Sequence, residues 1–293
     1  MKILITGATG CLGHALVPRL AADGHKVVAV VSPGGAETGV AGAAETIGID
    51  LGAPFDTGKL PSACDVVVHA AQSRRYREFP DAAEHVVQIN TVATHTLARY
   101  ALRTGAKQFI YLSTGSVYVP HPDPIDEQGE VAPNTLYPAS KLAGEALLAP
   151  YASHLTILVL RLFYMYGPKQ QRMLVTQLAE SIGQGKAVTL QGDGGIRLTP
   201  TFSGDVAQIC SQSIADSWQG TVNVSSPKSA SLRELATEIG RVVGKEPVFE
   251  QRAGNAPVPV IPDVTKLGSL YDMSSMTDLP TGLRQTFATK LAN

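Results

Sequence analysis

Tyr137 and Lys141 combine a phenol and an ammonium group four residues apart. In a helix, residues at this spacing share one face, so the two side chains point into one site. A neighbouring cation favours the phenolate and lowers the pKa of a tyrosine. The pair therefore predicts a group that transfers protons near neutral pH.

A glycine loop upstream of this pair predicts a dinucleotide beside it. Gly7, Gly10 and Gly13 are spaced GxxGxxG between a short apolar run and a helical pattern. Glycine is needed where φ is positive or where the backbone approaches a pyrophosphate. The following helix begins with free N–H groups and a dipole that favour phosphate. Proton transfer at Tyr137 would then take place beside a cofactor that moves hydride.

The choice between NAD and NADP stays open in the sequence. The residue that usually anchors the ribose is an acid at the end of the second strand, and Ser32 stands there instead. No arginine stands beside it for a 2′-phosphate. Asp50, at the end of the third apolar run, has two equal interpretations: a contact to the adenine end or a turn residue.

The elements that position these residues are apolar runs alternating with helical patterns. Such continuous apolar strands predict a doubly wound parallel α/β sheet of the Rossmann type, covered by helices on both faces. Ligands bind at the carboxyl ends of its strands, which carry Gly7, Asp50, 69–71 and 113–116. The predicted strands are 2–6, 26–31, 45–49, 64–71, 108–114 and 156–162, and the predicted helices include 12–24, 80–104 and 136–149.

The chain changes character after residue 166. We predict a dinucleotide-binding domain over 1–166 that also takes in part of 200–227. A smaller C-terminal substrate lobe follows over 167–293, with helices at 171–184, near 205 and at 231–244, and a strand at 222–225.

Composition excludes several classes of function. The 293 residues carry a net charge of −1, so no global field favours nucleic acid or an anionic membrane. No apolar run reaches membrane-spanning length, and no signal peptide is recognised. The three cysteines form no CxxC or metal-ligand cluster, which favours a reduced, cytoplasmic protein that holds no metal.

Several motifs together resemble those of the extended short-chain dehydrogenase/reductase family, and its NAD-dependent nucleotide-sugar epimerase/dehydratase branch is the most similar. TGATGCLG (6–13) is similar to TGxxGxxG, YPASK (137–141) to YxxSK, and RLFYMYGP (161–168) to RxxNxYGP. VVHAA (67–71), the segment around Asn90, YLSTGSVY (111–118) and GDGGIRLTPTFSGDVA (192–207) match further family segments. The likeness covers nearly the whole chain.

The resemblance implies a role for each matching position. Thr114 would bond the reacting sugar oxygen, Tyr137 would be the general acid or base, and Lys141 would bind the nicotinamide ribose. The implied substrate contacts are Thr114, Ser116 and the diphosphate-binding arginines Arg197 and Arg252. The implied cofactor contacts are Gly7, Gly10, Cys11, Leu12, Gly13, Ser32, Asp50, Leu51, Ala70, Ala71, Asn90, Ser113, Tyr137, Lys141 and Tyr164.

Departures from the family pattern bear on the reaction. Tyr164 stands where the family often has an asparagine facing the substrate diphosphate. Gly115 and Ser116 replace the Asp-Glu pair that follows the threonine in dehydratases, so elimination of water lacks its usual proton carriers.

The favoured function is therefore an NAD(P)-dependent nucleotide-sugar epimerase that inverts a sugar carbon through a transient ketone. A reductase or dehydrogenase of a keto-sugar or another small carbonyl is the alternative, because the same three residues serve both. A dinucleotide-sensing protein without catalysis is a third possibility, which the intact Thr–Tyr–Lys set argues against.

The resemblance also implies a homodimer built as a four-helix bundle. The helices near 80–104 and 136–149 would pair across its axis. The apolar residues at helical spacing that suit such packing are Leu97, Ala98, Ala101, Leu142, Ala146 and Leu147, although burial against the sheet alone would explain them as well.

Two further residues and one arginine cluster have competing interpretations. Cys11 begins a helix, which lowers a thiol pKa, yet packing beside the cofactor is the favoured role. His69 is interpreted as a packed, hydrogen-bonded histidine. Arg74, Arg75 and Arg77 form either a solvated face or a loop over substrate phosphates or cofactor.

Overall fold

A parallel sheet of seven strands forms the centre of the protein. The computed structural model describes residues 1–291. In chain order the strands are β1 (Lys2–Thr6), β2 (Lys26–Val31), β3 (Glu45–Gly48), β4 (Val66–His69), β5 (Gln108–Thr114), β6 (Thr156–Leu162), β7 (Met165–Tyr166), β8 (Val188–Gln191), β9 (Arg197–Leu198), β10 (Thr201–Phe202), β11 (Gly220–Val224), β12 (Ala230–Ser231) and β13 (Phe249–Arg252).

The helices connect and cover these strands. In chain order they are α1 (Cys11–Ala22), α2 (Ala83–Val87), α3 (Ala93–Thr104), α4 (Leu136–Leu148), α5 (Leu174–Gly183), α6 (Ser203–Ala215), α7 (Leu232–Val243), α8 (Thr265–Leu270) and α9 (Leu279–Leu291). A π-helical turn, Gln88–Val92, joins α2 to α3.

The central sheet has the spatial order β11-β6-β5-β4-β1-β2-β3, and every neighbouring pair is parallel. The order reverses at β1, so the crevice between the ends of β1 and β4 is the topological switch point where ligands bind in such sheets. The predicted doubly wound Rossmann sheet is confirmed. Six of its strands were predicted, and β11 was predicted over 222–225.

Helices bury both faces of the sheet, as its continuous apolar strands require. On one face α1 and α6 pack through Leu16, Leu20 and Ile209. On the other face α3 and the end of α4 pack through Leu97, Ala101 and Leu148. The carboxyl edge stays open between these layers.

A second, smaller core follows β6 in the chain. Helices α5, α7 and α9 pack around two-stranded sheets in a cluster that includes Leu178, Leu190, Leu235, Ile239 and Phe287. The pairs are β7 with β10, β8 with β13 and β9 with β12. This lobe stands over the carboxyl edge and forms the opposite wall of the cleft described next.

Some element bounds differ from the sequence-based predictions. The fourth strand is Val66–His69 rather than 64–71, so Ala70 and Ala71 are free to line the edge. The helix predicted over 80–104 contains the π-helical turn, and α8 and α9 were not predicted. Within residues 1–291, no helix is both long and apolar enough to cross a bilayer.

Candidate active site

One large cavity lies between the carboxyl edge of the sheet and the smaller lobe. Its volume is about 1520 Å³, and it runs from the glycine loop to the Tyr137–Lys141 pair. Drug-sized ligands occupy pockets of roughly 300–1,000 Å³. The cavity therefore has room for a dinucleotide and a second ligand together.

The glycine loop is shaped by close approach of backbone to backbone. Gly7 has φ +72°, and a Cβ there would lie 2.7 Å from the nitrogen of Ala71. A Cβ on Gly13 would lie 2.4 Å from the carbonyl oxygen of Ala8, so only glycine lets α1 pack against the loop. Gly10 precedes α1 and has no side chain to cap it, which leaves the first-turn amides facing the cavity. This cradle fits a dinucleotide pyrophosphate.

The residues that follow β2 and β3 line another part of the cavity. Ser32, Asp50 and Leu51 all line it. Asp50 also accepts a hydrogen bond from the amide nitrogen of Gly52 at 2.8 Å. The turn role of Asp50 is thus observed, and its contact to adenine stays a prediction.

The end of β4 is fixed by a buried histidine. His69 is fully buried, with its Nδ1 2.6 Å from Thr6 Oγ1 and its Nε2 3.3 Å from the carbonyl oxygen of Ile89. Burial lowers its pKa to about 3, so the ring is neutral. The packed role predicted for His69 is confirmed. Ala70 and Ala71, which follow it, line the cavity as predicted.

The tyrosine and lysine lie on one face of α4, beside the end of β5. The Lys141 side chain is buried, donates from Nζ to the carbonyl oxygen of Leu112 at 2.8 Å, and lies 4.8 Å from the ring centre of Tyr111. Tyr137 donates its hydroxyl to Oε1 of Gln72 at 2.9 Å. Thr114 ends β5, and its Oγ1 accepts from the amide nitrogen of Ser116 at 3.1 Å. The structure therefore brings Thr114, Tyr137 and Lys141 to one end of the cavity.

Comparison with known proteins adds the family. The sequence model of the NAD dependent epimerase/dehydratase family matches residues 3–225. A UDP-glucose 4-epimerase of Mycolicibacterium smegmatis is 31% identical over 267 residues, which are 85% of each chain. The chain belongs to the NAD-dependent epimerase/dehydratase family. The predicted family, enzyme class and NAD cofactor are thereby confirmed.

Other relatives in the comparisons differ in the reaction that their names give. A 2-alkyl-3-oxoalkanoate reductase of Stenotrophomonas maltophilia is 30% identical over 215 residues, which are 71% of this chain and 63% of that protein. A solved UDP-glucuronic acid 4-epimerase from Bacillus cereus, in complex with UDP-glucuronic acid and NAD, superposes with a TM-score of 0.85. The two chains are 24% identical, and the match covers 99% of this chain and 100% of the Bacillus cereus chain. The two proteins therefore share one fold.

Burial, rather than the neighbouring cation, sets the pKa values in this epimerase/dehydratase site. Burial raises the pKa of Tyr137 to about 12, and the hydrogen bond from Thr114 only partly opposes it. Burial also lowers the pKa of Lys141 to about 7, against an opposing effect of Glu145. The predicted lowering of the Tyr137 pKa is wrong for the protein alone, because the Lys141 ammonium is desolvated and turned toward Leu112.

Burial also decides the pKa of the Cys11 thiol. It lines the cavity at the start of α1, but burial raises its pKa to about 11, with a smaller opposing effect of a hydrogen bond to Ser203. Burial therefore outweighs the effect of the helix N-terminus, and a neutral Cys11 in the wall agrees with the packing role favoured for it. Leu12 and Tyr164 line the same cavity, and their contacts to the cofactor stay predictions.

Asn90 holds the scaffold and does not line the cavity. It is fully buried, its Nδ2 donates to Ser140 Oγ at 3.0 Å, and its Oδ1 accepts from the amide nitrogen of Ser73 at 3.3 Å. These bonds tie the π-helical turn to α4 and to the loop after β4. A direct cofactor contact at Asn90 is not supported by this position, whereas a structural role, which the resemblance also implied for Asn90, agrees with these bonds.

The two predicted serines lie beside the end of β5. Ser113 lines the cavity and donates to Glu145 Oε1, and Glu145 forms a buried ion pair with Arg161 at 2.6 Å. Ser116 lines the wall beside Thr114. The ion pair stands behind the catalytic wall and fixes α4 against β6.

Neither predicted diphosphate arginine reaches the cavity. Arg197 is 51% exposed, donates to Ser229 Oγ at 2.8 Å, and lies outside the lining. Its neighbour in β9, Leu198, is the residue that lines the cavity, because successive strand residues point to opposite sides. Arg252 is exposed at the end of β13 and is also absent from the lining. The predicted substrate contacts of Arg197 and Arg252 are therefore not supported by their positions.

The loop after β4 supplies residues that the sequence did not single out. Gln72 accepts from the Tyr137 hydroxyl, and the Tyr76 ring centre lies 4.9 Å from that of Tyr137. Both residues follow HAA at the carboxyl end of a strand, which is the one sequence signal that pointed to them. Arg74, Arg75 and Arg77, from the same loop, line the cavity. All three arginines are also exposed to solvent, so a solvated face and a loop over the ligands both stay predictions.

Proposed function

We propose that this chain is a nucleotide-sugar epimerase that uses tightly held NAD. The observation that carries the proposal is that Thr114, Tyr137 and Lys141 share one cavity with the glycine cradle at Gly7 and Gly13. The likeness to UDP-glucose 4-epimerase of Mycolicibacterium smegmatis supports the reaction class. The cavity volume of about 1520 Å³ suits a dinucleotide and a nucleotide-sugar side by side.

Each residue of the set has a separate part in the proposed reaction. Tyr137 exchanges a proton with the sugar hydroxyl as the ketone forms and disappears, and Thr114 hydrogen-bonds that oxygen. Lys141 holds the nicotinamide ribose and positions α4. NAD, when bound, supplies the hydride acceptor and donor. Burial keeps Tyr137 neutral at pH 7, so its phenolate has to form before Tyr137 takes the sugar proton; the phenol produced by that step is then the acid of the return step.

Lys141 gives the site a group that changes charge near neutral pH. Burial places its pKa at about 7, so its charge responds to small changes around it. The buried Glu145, one turn further along α4, favours the charged form. We infer that Lys141, with Tyr137, makes the rate depend on pH in the neutral range.

A reductase or dehydrogenase of a small carbonyl remains the second candidate. The likeness to a 2-alkyl-3-oxoalkanoate reductase favours it, since the same three residues serve that chemistry. The two functions differ in the fate of the cofactor. An epimerase regenerates NAD in every turnover, whereas a reductase consumes reduced cofactor in proportion to product.

A homodimer is part of the proposal. Leu97, Ala98 and Ala101 are fully buried against the sheet, so burial alone explains them. Ala146 and Leu147 are exposed, and Leu142 is half-buried. Val87 and Val92, with 38% and 43% exposure, lie beside them on the segment that packs against α4. This apolar surface supports pairing of two α3–α4 layers across a two-fold axis. A cytoplasmic location is proposed with it, since Cys11, Cys64 and Cys210 are free thiols.

Identification of the bound nucleotide, followed by a substrate panel, tests the proposal. Protein denatured after purification should release NAD, identified by mass, and the holoprotein should convert a UDP-sugar into its epimer. Release of NADP, with stoichiometric consumption of NADPH and a reduced carbonyl product, would favour the reductase instead.

A further inference from the structure

The substrate side of the cavity is positively charged although the chain as a whole is not. The net charge of the chain is −1. Apart from the buried Lys141, five cations line the cavity, and they come from two short segments. The acidic residues in the lining are Asp50 and Glu78, and Glu78 is paired with Arg75 at 2.8 Å. The cations are Arg74, Arg75, Arg77, Lys169 and Arg172.

These two segments meet beside the catalytic tyrosine. Arg77 donates from Nη1 to the carbonyl oxygen of Arg172 at 2.5 Å. Tyr76 donates its hydroxyl to the sulfur of Met173 at 3.3 Å and packs against the ring of Tyr137. The Arg77 guanidinium lies 5.3 Å from the Tyr76 ring centre. The loop after β4 and the segment before α5 thus form one wall that carries cations next to the reacting end.

Four of these cations, Arg74, Arg77, Lys169 and Arg172, have no carboxylate partner among the described residues. The ion pairs of residues 1–291 include Arg75 but neither Lys169 nor Arg172, and Arg77 bonds only to a carbonyl oxygen and a sulfur. Unpaired guanidinium groups beside a cavity are suited to bidentate binding of phosphate.

The backbone beneath two of the cations is strained. Lys169 has φ +64° and Arg172 has φ +55°, in the left-handed region that non-glycine residues rarely adopt. Strain of this kind is typical of ligand clamps, because the surrounding fold has to hold it. Two cavity-lining cations within four residues adopt this conformation, so the surrounding fold must hold this segment in place.

The side chain that β9 turns toward the cavity is apolar, although the resemblance placed a diphosphate-binding arginine in this strand. In β9 the side chain that reaches the cavity is Leu198, and Arg197 points away to Ser229. A diphosphate carries two negative charges that need cations from elsewhere in the wall. Arg77 and Arg172 are the two arginines at the contact between the segments that form the wall beside Tyr137.

We propose that Arg77 and Arg172, assisted by Lys169, bind the diphosphate of the nucleotide-sugar in place of Arg197 and Arg252. The proposal rests on the proposed epimerase function and names the subsite that holds its substrate. It makes the loop after β4 part of the substrate site. The same loop holds Tyr76 between Met173 and the ring of Tyr137. Binding of the diphosphate at Arg77 would therefore also fix the position of Tyr76 beside Tyr137.

Titration of NAD-loaded protein with UDP, UDP-glucose and UDP-glucuronic acid tests the subsite. Arg77→Ala and Arg172→Ala should each weaken UDP binding about 10-fold or more, the scale for loss of a hydrogen bond to a charged group. Arg197→Ala and Arg252→Ala should change it less than about 2-fold. Arg241→Ala, an exposed arginine on α7, is the matched control for loss of a surface charge. The NAD content of every variant should equal that of the parent.

Other results overturn the proposal in distinguishable ways. If Arg197→Ala or Arg252→Ala loses UDP and the other two do not, the epimerase function stands and the subsite is wrong. If Arg77→Ala and Arg172→Ala weaken binding of UDP-glucuronic acid but leave binding of UDP and UDP-glucose unchanged, the cations bind a sugar carboxylate instead. If the parent protein binds no UDP and converts no UDP-sugar, the proposed function itself fails.

Discussion

Replacement of Lys141 by methionine should abolish turnover yet stabilise the protein at neutral pH. Burial lowers the pKa of Lys141 from 10.5 to about 7. At about 1.4 kcal/mol for each pKa unit, holding this amine in the folded state at pH 7 costs about 4 kcal/mol relative to the unfolded chain. Methionine removes that cost but leaves the Leu112 carbonyl without its donor, which costs about 1–3 kcal/mol. The expected net gain is about 1–3 kcal/mol.

The sign of the pH dependence follows from the same pKa. Between pH 7 and 10.5 the unfolded chain binds a proton at this lysine that the folded protein does not. Stability of the parent therefore rises with pH across this window, and the methionine variant lacks that rise. The difference in unfolding free energy between the methionine variant and the parent should decrease by about 3 kcal/mol between pH 7 and 9.5. At pH 9.5 the variant should no longer be the more stable protein. Titration of cysteines and tyrosines is common to both proteins and cancels in the difference.

Urea unfolding of nucleotide-free protein, followed by circular dichroism at pH 7 and 9.5, measures this difference. Lys26→Met, at an exposed position, is the control and should give a difference that does not change with pH. A Lys141→Met protein that is less stable than the parent at pH 7, or a difference that is constant with pH, would refute the reasoning.

Four further predictions concern catalysis, cofactor, reaction type and assembly. Tyr137→Phe should keep NAD and the fold and lower turnover by about 10²–10⁴, and full activity in a steady-state assay would remove Tyr137 from the mechanism. Gly7→Ala should release NAD and lower the midpoint of thermal unfolding, since φ is +72° there and the Cβ would overlap backbone; retention of NAD would contradict this. Incubation with dTDP- or GDP-sugars should give no 4-keto-6-deoxy product, because Gly115 and Ser116 replace the Asp-Glu pair of dehydratases; detection of that product would be contrary evidence. Light scattering should give twice the mass of one chain, 30.8 kDa, and Val92→Glu should give a monomer; a monomeric parent protein would exclude the dimer.

The sequence predicted the fold and the reacting set because their signals are local. The glycine spacing at 6–13 and the four-residue spacing of Tyr137 and Lys141 depend only on one turn or one helix. The apolar runs predicted β1, β2, β5 and β6 at their observed bounds, and β3 and β4 within two residues at each end. The missed helices, α8 and α9, follow a Pro-rich stretch whose pattern gave no strong period.

The positions that failed depend on tertiary structure. Arg197 and Leu198 are neighbours in a two-residue strand, so their side chains point to opposite sides. The register of this strand therefore decides which of the two faces the cavity. The pKa of Tyr137 moved opposite to prediction because burial outweighs a cation, and burial likewise outweighs the helix dipole at Cys11. Gln72 reaches Tyr137 through a loop 65 residues upstream, a contact that no local pattern carries.

The fate of the hydride tests the central claim most directly. We would incubate the NAD-loaded protein with UDP-glucose carrying deuterium at C4, and follow sugars by NMR and reduced cofactor by absorbance. For an epimerase we expect a mixture of two sugars that differ in configuration at one carbon. Deuterium should be retained at that carbon, and no NADH should accumulate. Accumulation of NADH carrying the label, in step with a stable keto-sugar, would contradict it.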